Sequence, residues 1–228
     1  VPVDAFELGD DNLTIELWAR SPMIFSPVAM DFDARGRLWL TEGIDYQRGL
    51  RTEGGRSIIV LEDKDRDGKA DSSHVFVTDP DIRHAALGIA VFDNQIVLSS
   101  TPSIIVYTDV NRNAVFDEGI DKREVFLTGF RDASHDHTLH AVVGAPSGQW
   151  HFSYGNRGAD ITTKDGRHHI SGCYYGYSDG IGKKSSDGEV YVGGMTMRIN
   201  PDGTGLTPTG ENMRNSHDMF VSSYGDIY

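Results

Sequence analysis

The chain has 228 residues, 38% of them hydrophobic and 24% charged, with a formal net charge of −13. That length carries one large domain or two small ones, and no apolar run approaches the ~20 residues needed to span a bilayer. The acidic balance excludes nucleic acid and anionic membrane surfaces as partners, because like charges repel. A single cysteine, Cys173, excludes an internal disulfide framework. Twenty-six glycines, with abundant Asn and Asp, predict many tight turns and little helix, so an all-β chain is expected.

In chain order, the start VPVDAFELGDD has neither the basic region nor the apolar core of a leader, so any signal peptide is expected to be already removed or never present. The segment PVAMDFDARGRLWLTEG (27–43) then reads as a short apolar strand, a polar turn at Gly36 and an alternating strand. LGIAVFDNQIVLSSTP (87–102), LHAVVGAPSGQWHFSYGN (139–156) and HDMFVSSYGDIY (217–228) repeat the design, with turns at Asn94, Gly148 and Gly225. A longer repeat overlies these hairpins: SIIV begins at Ser57 and again at Ser103, an offset of 46 residues. Periods of roughly 40–50 residues point to propeller blades of four strands each.

Residues 27–80 and 87–130 are therefore expected to be two repeat-containing blades, and 139–156 the hairpin of a third. The region 157–190 reads as a long insertion between blades three and four, and 191–228 as a further blade cut off in mid-hairpin. About four blades are represented. A strand edge left unpaired at the end is one that folded proteins avoid, so the chain is expected to be a partial β-propeller with blades or further domains missing.

Each repeat carries a polar loop. DKDRDGKAD places Asp63, Asp65, Asp67 and Asp71 at positions one, three, five and nine, with Gly68 at six and the Lys69 carbonyl at seven. That spacing matches most of a calcium-binding EF-hand loop, with His74 rather than Glu at position twelve. At the same offset, Asp109, Asn111, Asn113, the Val115 carbonyl and Asp117 form a second loop, with Ala114 in place of the glycine. Calcium in either loop would be structural. The alternative is a solvated turn, although converging carboxylates repel each other unless a cation neutralises them.

The densest cluster of titratable side chains is ASHDHTLHAVV, with His135, Asp136, His137 and His140 ahead of an apolar run. Three readings compete: a catalytic base, a transition-metal site with His135 and His137 on one strand face, and a polar loop without a ligand. His168, His169 and Cys173 lie in a Gly/Ser-rich stretch and read as ordinary loop. The aromatic run CYYGYSDG reads either as the lining of a sugar groove or as loop packing.

The ordered set PVAMDFDARGRLWLTEG, IIVLEDKDRDGKAD, SHDHTLHAVV and RINPDGTGL followed by RNSHDMFVSSYGDIY resembles the glucose/sorbosone dehydrogenase family. These are six-bladed propellers that use pyrroloquinoline quinone (PQQ). The chain is most similar to the membrane-bound dehydrogenase propellers of planctomycetes and relatives, which often precede a haem-binding C-x-x-C-H domain. The resemblance covers nearly the whole chain. It implies that His137 is the general base, Asp136 its orienting carboxylate, and Arg214 with Asn215 the quinone contacts, joined by His140 and by Asn156. The chain departs from the family at two places: Asn156 stands where the family has Asp, and Ser216-His217 follows the Arg-Asn pair where Pro-Gln is usual.

A histidine that titrates near neutral pH suits proton abstraction from an alcohol, and a guanidinium suits a polyanionic cofactor. The leading expectation is thus an exported quinoprotein-type dehydrogenase that oxidises a sugar or alcohol hydroxyl and passes electrons to a cytochrome c domain or protein. Haem would sit only in that partner or in a missing domain. The location would be periplasmic or extracellular, with any membrane association through a part outside this chain. The alternative is a calcium-stapled, non-catalytic binding or assembly module. A third expectation, a lactone- or ester-cleaving propeller, needs a metal in the central channel.

Overall fold

The computed structural model describes residues 3–43, 56–82, 86–131, 137–173 and 180–228. Their regular structure is all strand, apart from one 3-10 turn at Val3–Ala5. PVAMDF and LWLTE form β1 (Pro27–Phe32) and β2 (Leu38–Glu42). Gly36, at φ 81°, makes the turn between them, and the Asp33 carboxylate accepts the backbone N–H groups of Arg35 and Arg37. The first SIIV run lies in β3 (Arg56–Glu62), followed by β4 (Ser72–Asp79). These four strands form one antiparallel sheet, sheet I, in sequence order.

The second unit repeats the first. β5 (Gly88–Phe92), β6 (Gln95–Ser100), β7 (Ser103–Thr108) and β8 (Lys122–Thr128) form sheet II, again an antiparallel meander. Next come β9 (Leu139–Gly144) and β10 (Trp150–Tyr154). β11 (Ala159–Thr162), β12 (His169–Cys173) and β13 (Tyr191–Val192) then make a small separate sheet in which β12 and β13 run parallel. β14 (Gly194–Ile199) and β15 (Thr207–Met213) follow, and β14 pairs with β10. Sheet III therefore has the order β15-β14-β10-β9.

This corrects two boundaries. Residues 157–190 do not separate blades three and four. They lie inside the third blade, between its second and third strands, and are partly strand rather than loop. Nor is 191–228 a blade of its own: its first two long strands complete sheet III, and a bridge between Val221 and Ile227 opens the next hairpin. The physical reason is that β10 needs a partner on its second edge, and an insertion displaces that partner in sequence without changing the pairing.

The second strands β2, β6 and β10 are buried nearly throughout, because both faces of each are covered; for β2 the outer cover is the irregular segment of Trp18, Ala19, Met23 and Ile24, which packs on Leu38 and Leu40. LWL, IVL and WHF are accordingly apolar runs rather than strict alternations. Trp39, Val60 and Phe76 of sheet I pack on Ile96, Leu98 and Tyr107 of sheet II. Val97, Val106 and Phe126 of sheet II pack on Trp150, Phe152 and Met197 of sheet III. In two of the three sheets a second-strand hydroxyl ties the sheet to the chain entering the next: Thr41 Oγ1 donates to the Ala86 carbonyl (2.7 Å) and Ser153 Oγ to that of Ser216 (3.0 Å).

Candidate functional site

The first strands β1, β5 and β9 lie side by side, and with residues 217–219 they line a groove of about 600 Å³. Its lining mixes apolar side chains with exposed backbone and with the polar side chains of Asp31, His217 and Asp218. Each first strand faces the common axis of the three sheets, so this groove occupies the place of a propeller's central channel.

Three chain segments meet beside it. The Gly155 N–H donates to the Thr138 carbonyl (2.7 Å), the Arg157 N–H to that of His137 (3.2 Å), and the Asn156 N–H to that of Arg214 (2.8 Å). These backbone bonds carry the side chains into place. His137 Nδ1 lies 2.8 Å from Asn156 Oδ1. A carboxamide oxygen only accepts, so in this contact Nδ1 is the donor. His140, fully buried in β9, donates through Nε2 to Asn215 Oδ1 at 2.6 Å. The His217 ring, which lines the groove, lies 5.0 Å from that of His140.

Gly155 makes this convergence fit. An added Cβ would come within 2.6 Å of Asn215 Oδ1 and 2.7 Å of the His137 carbonyl carbon. Arg214 is exposed, and its guanidinium is uncommitted among the described residues.

The structure thus brings together five of the expected residues, His137, His140, Asn156, Arg214 and Asn215. His135 and Asp136 lie outside the described residues, and the group that meets His137 Nδ1 is Asn156. Sequence reasoning missed Gly155 and the groove-facing role of His217. The aligned hairpins held a signal for the second, since SHDMF and TLHAV occupy the same place in their repeats.

The first polar loop folds as its spacing predicts. Gly68 sits at φ 88° and donates its N–H to Asp63 Oδ2 (3.0 Å). Asp65 and Asp67 each spend one oxygen on a backbone N–H two residues on. Carboxylate oxygens of Asp63, Asp65 and Asp71 lie within 4.8 Å of one another. The Asp63 Oδ1 atom is buried with no hydrogen-bond partner among the described residues. This donor set fits a hard divalent cation. The Lys69 carbonyl follows Gly68, as its place in the loop requires.

The second loop is built alike, with Ala114 at φ 63° donating its N–H to Asp109 Oδ2 (2.8 Å). The two loops touch: His74, at position twelve of the first, meets the Ala114 carbonyl through Nε2 (3.0 Å), and the Phe116 N–H donates to the Phe76 carbonyl (2.8 Å).

In the small sheet, His169 and Lys183 each bind one oxygen of Asp160. Burial works to raise the Asp160 carboxyl, but the Lys183 and His169 contacts outweigh it and hold it below the usual range. His169 is thereby accounted for as a surface hydrogen-bond partner of Asp160. The Cys173 side chain and residues 174–179, with most of the aromatic run, fall outside the described residues.

Consecutive four-stranded meanders, tied sheet to sheet around an axial groove, define a β-propeller. The chain belongs to the family described as "Domain of unknown function (DUF7133)", whose profile matches residues 3–228. Comparison with curated protein sequences finds no match.

Among solved structures, the chain is similar to a Trichoderma reesei protein of Carbohydrate-Active Enzymes Family AA12. The match has 16% identity and a TM-score of 0.43, and covers 62% of this chain and 32% of that one. A Lactobacillus plantarum protein matches at 9% identity and TM-score 0.41, over 87% of this chain and 62% of that one. Catalytically inactive virginiamycin B lyase from Staphylococcus aureus, with quinupristin, matches at 13% identity and TM-score 0.42, over 91% and 64%. The chain spans about a third of the length of the first of these and under two thirds of the others.

Proposed function

We propose that this chain is the propeller part of an exported dehydrogenase that oxidises a sugar or alcohol hydroxyl, with pyrroloquinoline quinone held at the axial groove. The observation that carries the reading is the convergence of His137, His140, Asn156, Asn215 and the Arg214 backbone beside a groove of about 600 Å³, a volume within the range of ligand pockets. The residues present fit a quinone that bears carboxylates. Arg214 brings an uncommitted guanidinium, and Asn215 keeps its carboxamide N–H groups after accepting from His140. Bound, the quinone would supply the hydride acceptor.

The chain's own residues do the rest. His137 would serve as the proton acceptor for the substrate hydroxyl, and Asn156 orients its ring through Nδ1. His140 holds Asn215, which adjoins Arg214. Apolar side chains of β1, β5 and β9 on the groove would pack against a bound ring. Calcium in the loop of Asp63, Asp65 and Asp71 would stiffen sheet I. The electrons would pass to a cytochrome c domain or protein in the periplasm or outside the cell.

One observation favours a second reading, a non-catalytic binding module. The partner of His137 is a neutral carboxamide, which gives an imidazolium less support than a carboxylate would. The lactone-cleaving alternative is not supported. Of the two carboxylates that line the groove, Asp31 spends both oxygens on the N–H groups of Phe32 and Val91, and Asp218 spends one on that of Met219. The test is dye-linked oxidation of a sugar and alcohol panel by the complete gene product with added PQQ and calcium. Saturable activity that disappears in His137→Ala upholds the dehydrogenase. No turnover, with calcium still raising the melting temperature, leaves the binding module.

A further inference from the structure

The two repeat loops share one backbone design, yet they differ in what they point at their centres. In the first loop, Asp65 Oδ1 accepts the Asp67 N–H (3.1 Å) and Asp67 Oδ1 accepts the Lys69 N–H (2.9 Å). In the second, Asn111 Oδ1 accepts the Asn113 N–H (3.3 Å) and Asn113 Oδ1 accepts the Val115 N–H (2.7 Å). Once these turns are satisfied, a carboxylate still has a second, charged oxygen to offer, whereas a carboxamide has one lone pair of a neutral oxygen and its NH2 group. In the second loop both NH2 groups are spent on one atom: Asn111 Nδ2 and Asn113 Nδ2 each lie 2.7 Å from Asp117 Oδ2.

The other carboxylates of this loop are occupied too. Asp109 accepts the Asn113 and Ala114 N–H groups on its two oxygens, and Asp121 takes the N–H groups of Val110 and Asp117.

We infer that the second loop is a cation-independent replica of the first, in which two asparagine carboxamides replace the ion, so that the chain takes one divalent cation rather than two. An ion would find only neutral oxygens on Asn111 and Asn113, each already accepting a backbone N–H, and would have to displace both NH2 groups from Asp117. The replica instead serves as a fixed seam. Ala114 is buried in the core between sheets I and II, its carbonyl meets His74, and Arg112 grips Asp93 with two hydrogen bonds (2.6 and 2.5 Å). This deepens the calcium part of the function proposed above, and its outcome can be told apart from that reading.

The experiment is isothermal titration of the complete, chelator-stripped protein with calcium chloride, with melting curves in calcium and in chelator alongside. Expected are one ion per chain in the wild type, none in Asp65→Asn/Asp67→Asn, and two in Asn111→Asp/Asn113→Asp. The last variant should melt lower than wild type in chelator and recover in calcium. Because that variant gains a site, the test survives any loss variant that fails to fold. Wild type binding no ion overturns the inference, because the first loop then holds no cation for the second to replace. Two ions in the wild type overturn the inference. So does one ion that survives Asp65→Asn/Asp67→Asn, or an Asn111→Asp/Asn113→Asp variant that gains nothing.

Discussion

Replacing Gly155 with alanine tests the convergence at its tightest point. The new Cβ would lie 2.6 Å from Asn215 Oδ1, 2.7 Å from the His137 carbonyl carbon and 2.8 Å from His137 Cα. Carbon atoms in good contact sit at about 3.5–4.0 Å, so the backbone of 137 must retreat by roughly 0.8 Å or Asn215 must swing away. Overpacking of this kind costs about 1–3 kcal/mol. Loss of the Asn215 bond adds about 1 kcal/mol for the buried His140 donor. Together these give about 3 kcal/mol, or a fall in melting temperature of roughly 6–12 °C for a chain of this size. Urea unfolding of wild type and Gly155→Ala, compared at equal m-value, reads the difference directly. A loss below about 0.5 kcal/mol would mean that the segments at 137, 155 and 215 do not meet as described, and the candidate site would dissolve with them.

Three further outcomes follow from the sheets. Asp79 receives Arg123 Nε (2.5 Å) and the Tyr107 hydroxyl (2.6 Å); burial works to raise its carboxyl, but these donors outweigh it and hold it below the usual range. A depressed carboxyl stabilises above the unfolded value of about 3.9 and stops doing so as pH falls through the folded one. Asp79→Asn should therefore cost about 2–3 kcal/mol at pH 7, less than a fully buried pair because Arg123 keeps Asp81, and should flatten the acid limb of a pH–stability curve. His151 is held neutral by burial first and by Arg198 second, so its pKa is lowered. The unfolded chain takes up that proton below about pH 6.5 and the fold resists it, so stability falls as pH drops through that value; His151→Phe should remove this slope in melts from pH 7.5 to 5. Trp150 stacks on Phe92 and packs on Phe126, and Trp150→Ala should cost about 3–5 kcal/mol in urea.

Much of the fold could be read from the sequence, because its signals are local. Gly36 and Gly148 take the left-handed conformations their turns demand, and the SIIV runs open equivalent strands. The polar loops follow their spacing down to the N–H of residue six pointing at the first Asp. What failed was non-local. Nothing near Tyr154 says that its next partner in sheet III is Met195, beyond an inserted sheet. The insertion's hold on the body, an Ala159 bridge to Phe130, also joins residues distant in sequence. His140 and Asn215 could be named singly, but not as a bonded pair 75 residues apart. The resemblance to dehydrogenases marked both residues, and only closure of the sheets shows that each restrains the other. Asn156 is the reverse case: visible as a departure from the family pattern, its effect on the His137 ring needed the structure.

The account stands or falls on whether the groove beside Arg214 takes a carboxylated quinone, and equilibrium binding of PQQ to the complete protein measures that without relying on turnover. Followed by quenching of protein fluorescence, wild type should saturate with one quinone per chain, and Arg214→Ala should bind at least tenfold more weakly while melting within a degree or two of wild type. No saturable binding, or binding indifferent to Arg214, would contradict the quinone site.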